Sequence, residues 1–107
     1  MATRETFVDF VLGQIEHTGV IEAKKMFGEY ALYVNGKIVG LICDDKLFIK
    51  PTEAGRKYIK HVVEHPPYEG AKPSFLIEDK IEDRKWLSKL ISITYGELPE
   101  PKPKKKK

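Results

Sequence analysis

Cysteine is nearly absent: Cys43 stands alone among 107 residues. No internal disulfide can form, and a thiolate framework for zinc is excluded with it. Long apolar runs are missing as well. The longest, Ile38-Val39-Gly40-Leu41-Ile42-Cys43, falls far short of the roughly 20 residues that cross a bilayer, so no membrane association is expected. Met1-Ala2-Thr3-Arg4-Glu5-Thr6 places no apolar stretch behind a basic start, and a secretory leader is not expected either. These absences predict a cytoplasmic protein. The sequence also lacks a Gly-rich phosphate loop, a Ser-His-Asp arrangement and a dinucleotide fingerprint. No catalytic residue, metal or cofactor is assigned, and the chain is not expected to be an enzyme.

What is present is enough for one core. An apolar share of 41% matches an ordinary globular domain, and the length suits one domain and not two. A domain this small buries a limited share of its surface, so pairing with a partner or a second copy is an accessible way to gain stability. The formal charge of +3 invites a nucleic-acid reading. Its distribution argues otherwise. Five of the lysines and two of the glutamates lie in residues 97–107, which leaves equal numbers of basic and acidic residues in 1–96. The excess is a tail property. Residues 1–98 are expected to fold, and 99–107, with alternating prolines and Lys102, Lys104, Lys105, Lys106 and Lys107, to form a disordered tail. Such a tail can add weak, salt-sensitive, non-specific affinity for nucleic acid, or simply keep the chain soluble.

The folded part alternates between two periodicities. Thr3 is a candidate N-cap, and Phe7, Val8, Phe10, Val11, Leu12 and Ile15 recur at helical spacing, predicting a helix over 4–17 with Gly19 as its left-handed cap. Ile21 to Phe27 and Tyr30 to Val34 read as strands. Asn35-Gly36 supplies the positive φ angles of a type I′ turn, Lys37 to Cys43 returns, and Asp44-Asp45 turns again into Lys46 to Lys50. Thr52 caps a second helix whose buried face is Tyr58, Ile59, Val62 and Val63, stopped by Pro66-Pro67. Ser74 to Ile77 makes a further strand. Asp79 or Glu82-Asp83 opens a final helix carrying Ile81, Trp86, Leu87, Leu90, Ile91 and Tyr95. The fold class is α+β in two layers, with one antiparallel sheet of about five strands and helices packed on one face, in the order α-β-β-β-β-α-β-α.

Three constellations invite chemical readings. His61-Val62-Val63-Glu64-His65 fits an inverted zinc-peptidase pattern, in which two histidines four apart on a helix hold the metal and the glutamate activates water. Pro66-Pro67 places His65 at a frayed helix end, which weighs against it. Cys43 ends an apolar strand and is followed by Asp44 and Asp45, which disfavour a thiolate, so it reads as core. Tyr30, Tyr33 and Phe48 can be imagined as a base-stacking platform, but no basic residues interleave with them and the folded body is neutral.

The segment Lys25-Met26-Phe27-Gly28-Glu29-Tyr30-Ala31-Leu32-Tyr33 resembles the signature opening the N-terminal domain of the TfoX/Sxy family, bacterial regulators of natural competence. Pro67-Tyr68-Glu69-Gly70-Ala71-Lys72-Pro73 resembles a second block of that family, and Trp86-Leu87 matches in placement. Glu29 and Ala31 stand where glycines are frequent, and the lysine tail replaces the helical C-terminal domain of full-length competence regulators. The resemblance implies a two-layer α+β fold and a regulatory module that works through protein contacts, with self-association as a homodimer one form of it. The implied contact residues are Lys25, Met26, Phe27, Gly28, Tyr30, Tyr68 and Lys72. Gly28 is expected to permit a bend or bulge, and Met26 and Phe27 to face opposite sides of the sheet.

Overall fold

A computed structural model describes residues 4–15, 19–26 and 29–98. In chain order it contains α1 (Glu5–Gln14), β1 (Ile21–Met26), β2 (Glu29–Val34), β3 (Lys37–Cys43), β4 (Lys46–Ile49), α2 (Glu53–Ile59), β5 (Glu64–His65), β6 (Ser74–Ile77), a short 3₁₀ turn (Asp79–Glu82) and α3 (Arg84–Glu97). All strand pairs are antiparallel, and the sheet runs β1-β2-β3-β4-β6-β5. The α+β class is as expected. The sheet has six strands where about five were expected, because β5 is a two-residue strand next to Pro66-Pro67 and too short to leave an alternating pattern.

The meander is set by its turns. Asn35 and Gly36 both adopt positive φ, 50° and 86°, as the type I′ reading requires. Asp44 and Asp45 also sit at positive φ, 53° and 56°, a conformation aspartate tolerates better than most residues. Asp45 is held from outside the hairpin. The Arg4 amide donates to its Oδ1 and Arg4 Nε to its Oδ2, each at 2.9 Å, which ties the start of α1 to the β3–β4 turn. Asn35 also works outside its own turn. Its Oδ1 accepts from the Val20 amide at 2.8 Å, and its own amide donates to the Val20 carbonyl, so the β2–β3 turn fixes where β1 begins.

β3 does not alternate cleanly, and the reason is a bulge. Leu32 lies opposite Gly40 but Tyr33 lies opposite Ile38, which leaves Val39 as the extra residue. Lys37, Val39 and Ile42 can then all face the helices. Gly40 is required there, since a Cβ would lie 2.3 Å from the Phe48 carbonyl oxygen. Gly28, where the bend was expected, lies outside the described residues.

The helices cover one face. Val8, Val11 and Ile15 from the α1 region and Leu87, Leu90 and Ile91 from α3 pack on Tyr30, Leu32, Val34, Val39, Ile42, Leu47, Ile49, Phe75 and Ile77. α2 is capped by Thr52, whose hydroxyl accepts from the Gly55 amide, and α3 by Asp83, whose carboxylate accepts from the Trp86 amide. Two boundaries differ from expectation, and a third settles between two stated alternatives. α1 stops at Gln14, with Ile15 extended, so the expected cap at Gly19 is not what ends it; Thr3 and residues 16–18 lie outside the described residues. α2 stops at Ile59, because Lys60 turns to φ 72° and ψ −60° and the His61 amide donates to the Ile59 carbonyl at 2.8 Å, a γ-turn. Val62 is consequently half-buried and Val63 is 55% exposed, so Val63 is not on a buried helical face. Asp83, and not Asp79, opens the last α-helix.

Candidate interaction surface

Strand alternation and cross-strand register divide the sheet residues into two sets. The helix side is the core just described. The opposite side carries Met26 on β1, Ala31 and Tyr33 on β2, Ile38, Leu41 and Cys43 on β3, Phe48 on β4 and Leu76 on β6. None of the three helices lies over it. Ala31, Cys43 and Phe48 are buried by their neighbours, whereas Met26, Tyr33, Ile38, Leu41 and Leu76 are half-buried. At the β4–β6 end, Pro66 and Pro67 fold toward Phe48 and Leu76 around a cavity of about 130 Å³. The charged residues at the rim are of both signs: Glu22 and Lys24 on β1, and Asp44 and Lys46 at the far turn. Lys24 Nζ lies 5.1 Å from the centre of the Tyr33 ring.

The residues anticipated as contacts do not gather in one place. Met26 lies on the helix-free side at the β1 edge. Lys25 is exposed at the same edge but on the helix side, opposite Tyr30. Tyr30 is buried among the helix-side core residues, which removes it from any contact face. Tyr68, 54% exposed, and Lys72 occupy the loop between β5 and β6, at the other edge of the sheet. Phe27 and Gly28 lie outside the described residues, as do Lys102, Lys104, Lys105, Lys106 and Lys107. The imagined aromatic platform also divides, since Tyr30 faces the helices while Tyr33 and Phe48 face away.

The zinc reading loses its geometric premise. His61 follows the γ-turn that ends α2, and Glu64 and His65 are consecutive strand residues whose side chains leave opposite faces of the sheet. Glu64 is engaged by Arg56 Nη1 at 2.6 Å, while His65 Nδ1 lies 2.9 Å from the Pro66 carbonyl. Among the described residues, no group of three or more His, Cys, Asp or Glu side chains is placed to hold a metal. A cavity of about 260 Å³ does open beside His61, Val63, Asp79 and Trp86. It is smaller than the usual range for small-molecule sites. Its aromatic wall is structural, because Tyr58 stacks on Trp86 at 5.3 Å and donates to the Trp86 carbonyl. Burial, and then the Asp83 charge, raise the Tyr58 pKa.

Cys43 behaves as core. Burial, followed by the charges of Glu29 and Asp44, pushes its thiol up to about 11, which is the opposite of what a nucleophilic thiol needs. Asp44 contributes as expected, though burial outweighs it.

Comparison with known proteins decides the lineage. Residues 13–98 match the TfoX N-terminal domain. The chain belongs to this family. A relative from Spirochaeta aurantia, described as "Uncharacterized 12.7 kDa protein in trpE 5'region", is 39% identical over 107 residues, covering 100% of this chain and 93% of the relative.

Within this TfoX N-terminal domain, sequence reasoning missed the residue that joins β3 to α3. Lys37, read only as the start of a return strand, is 6% exposed and donates to the carbonyls of Tyr95 and Leu98. A lysine after Asn-Gly carries no sign that its stem will be buried. No helix among the described residues is long and apolar enough to cross a membrane.

Proposed function

We propose that this TfoX N-terminal domain is a non-catalytic regulatory module of the cytoplasm that binds a protein partner on its helix-free sheet face. The observation that carries this reading is the row of half-buried apolar side chains, Tyr33, Ile38, Leu41 and Leu76, on a face over which no described helix lies. An apolar surface ringed by polar groups is the ordinary form of a protein contact. Its rim favours a protein over nucleic acid, because Glu22 and Lys24 on one side and Asp44 and Lys46 on the other present both signs. A phosphate backbone instead calls for a concentration of basic residues. The family resemblance supports a role in regulation of competence or transcription, exerted through that partner.

The test uses the full chain as bait, in wild-type, Leu41→Lys and Lys57→Glu forms, with each recovered protein then purified and titrated directly. Lys57 is exposed on α2, far from the face in the fold. The expected result is a partner bound directly by wild type and by the Lys57 variant, and at least about tenfold more weakly by the Leu41 variant. Binding that survives Leu41→Lys, or that disappears on nuclease treatment, would overturn the reading.

A further inference from the structure

The two edges of the sheet are finished differently. β5 exposes only Glu64 and His65, and the two prolines that follow have no N–H to offer a further strand. β1 is six residues long, contains no proline, and has no described strand on its outer side. The phase of its outward hydrogen-bonding groups follows from one bond. The Asn35 amide donates to the Val20 carbonyl, so residues 20 and 35 form a hydrogen-bonded pair. In the β1–β2 register the same holds for Glu22 with Tyr33, Lys24 with Ala31 and Met26 with Glu29. Ile21, Ala23 and Lys25 therefore point their N–H and C=O groups outward.

We propose that two copies of this chain pair antiparallel through β1, with Ala23 opposite Ala23 of the second copy on the two-fold axis. A symmetric antiparallel pair must be centred on one of the outer residues or between them, and the side chains select among the centres. Centring on Glu22 sets glutamate against glutamate, and centring on Lys24 sets lysine against lysine. Centring on Ala23 removes both conflicts. Each Glu22 then lies opposite a Lys24, in the closer, non-hydrogen-bonded type of pair. Each Val20, 62% exposed in the single chain, lies opposite a Met26. Ile21 and Lys25 exchange backbone bonds on either side of the axis. The pairing is self-complementary, as an isologous interface requires, and it joins two six-stranded sheets into one whose helix-free sides are continuous. It uses the sheet edge and shares only Met26 and the rim residues Glu22 and Lys24 with the proposed contact face. The centre of that face at Ile38, Leu41 and Leu76 is left open, so that reading survives if the edge proves unpaired.

Charge exchange tests the register. Within one chain, Glu22 and Lys24 pair with Tyr33 and Ala31, which carry no charge, so changing them leaves the β1–β2 ladder without new like-charge pairs. Analytical ultracentrifugation of the full chain, from about 1 μM to about 1 mM, measures the dimer dissociation constant, and circular dichroism verifies the fold. Lys24→Glu and Glu22→Lys singly are each expected to weaken the dimer about tenfold, through two symmetric like-charge pairs. The double exchange is expected to restore wild-type affinity. Ala23→Pro removes an outward donor and no bond to β2, and is expected to abolish pairing while circular dichroism shows the chain still folded. A wild-type chain that is monomeric throughout the range overturns the proposal, its edge lysines then serving to keep β1 unpaired. A dimer indifferent to the charge exchange or to Ala23→Pro overturns it as well, since that dimer uses another surface.

Discussion

Lys37 places its ammonium 2.8 Å from the Leu98 carbonyl oxygen and 3.0 Å from that of Tyr95, with Nζ also 4.2 Å from the centre of the Tyr95 ring. The last carbonyls of a helix have no partner within it, and a cation is the favoured group at that end of the helix dipole. A β3 side chain thus performs the task that a glycine cap performs in many helices, and it fastens α3 to the sheet at the same time.

Replacing Lys37 by methionine keeps the apolar stem and removes the charge. Hydrogen bonds from a charged donor contribute about 1.5–3 kcal/mol each, and carbonyls left without a donor add a cost. Lys37→Met removes two such bonds and is expected to lower stability by about 3 kcal/mol or more. In urea unfolding this reads as a lower midpoint with an unchanged slope. A midpoint equal to wild type would show that water satisfies both carbonyls equally well.

Lys60 ends α2 in a γ-turn at φ 72° and ψ −60°, a geometry strained for any residue with a Cβ. Glycine adopts positive φ without that cost, although it loses about 0.5–1 kcal/mol through greater freedom in the unfolded chain. Lys60→Gly is expected to raise stability by about 1 kcal/mol, the strain relief exceeding the entropy loss. Thermal unfolding checks it, with Lys57→Gly in the preceding helix as a control expected to destabilise by about 1 kcal/mol. A destabilised Lys60→Gly chain would show that the lysine stem contributes packing there.

Local signals in the sequence carried most of the fold. Asn35-Gly36, Thr52, Asp83 and the spacing of Val8 and Val11 each encode their structure through neighbouring residues, and each is found in place. Features that depend on distant backbone were not legible. The bulge at Val39 depends on the β2–β3 register, the fit of Gly40 on the Phe48 carbonyl, the γ-turn at Lys60 on the path from α2 to the sheet edge, and the burial of Lys37 on the end of α3. The candidate surface was half legible. Alternation left open which of Met26 and Phe27 faces the helices, and the register places Met26 on the helix-free side. Tyr30, Tyr68 and Lys72 were grouped with it by nearness to sequence motifs, whereas the register and strand order place them in the core and at the far edge.

The Arg4–Asp45 contact predicts a signature in acid. The Arg4 amide is the largest influence holding the Asp45 carboxyl below its ordinary value of 3.8; burial opposes it, and the Arg4 guanidinium and the Lys46 charge add to the lowering. A depressed folded pKa means that the unfolded chain binds more protons in that window. Its contribution is therefore present above about pH 3.8 and is lost as pH falls through the lower folded value. In Asp45→Asn, the fall of the urea midpoint below pH 4 should be shallower than in wild type, while the effect near neutrality stays small for so exposed a pair. Parallel acid limbs for the two proteins would show that the bond does not persist in solution.

Cys43 predicts a signature in base. Its thiol is buried at the end of β3, and burial, Glu29 and Asp44 together raise its pKa from 9.0 to about 11. A raised folded pKa contributes stability that is fully present below pH 9.0 and is lost as pH rises toward 11, because the unfolded chain ionises first. The same shift makes the thiol chemically quiet, since the thiolate is the reactive form. At pH 8 the native chain is expected to react with iodoacetamide more than about a hundredfold more slowly than the chain unfolded in urea. Reaction should instead follow opening of the sheet, so Lys37→Met, by lowering stability, should speed it when opening precedes modification. A native rate close to the unfolded one would place the sulfur in contact with solvent and remove Cys43 from the core.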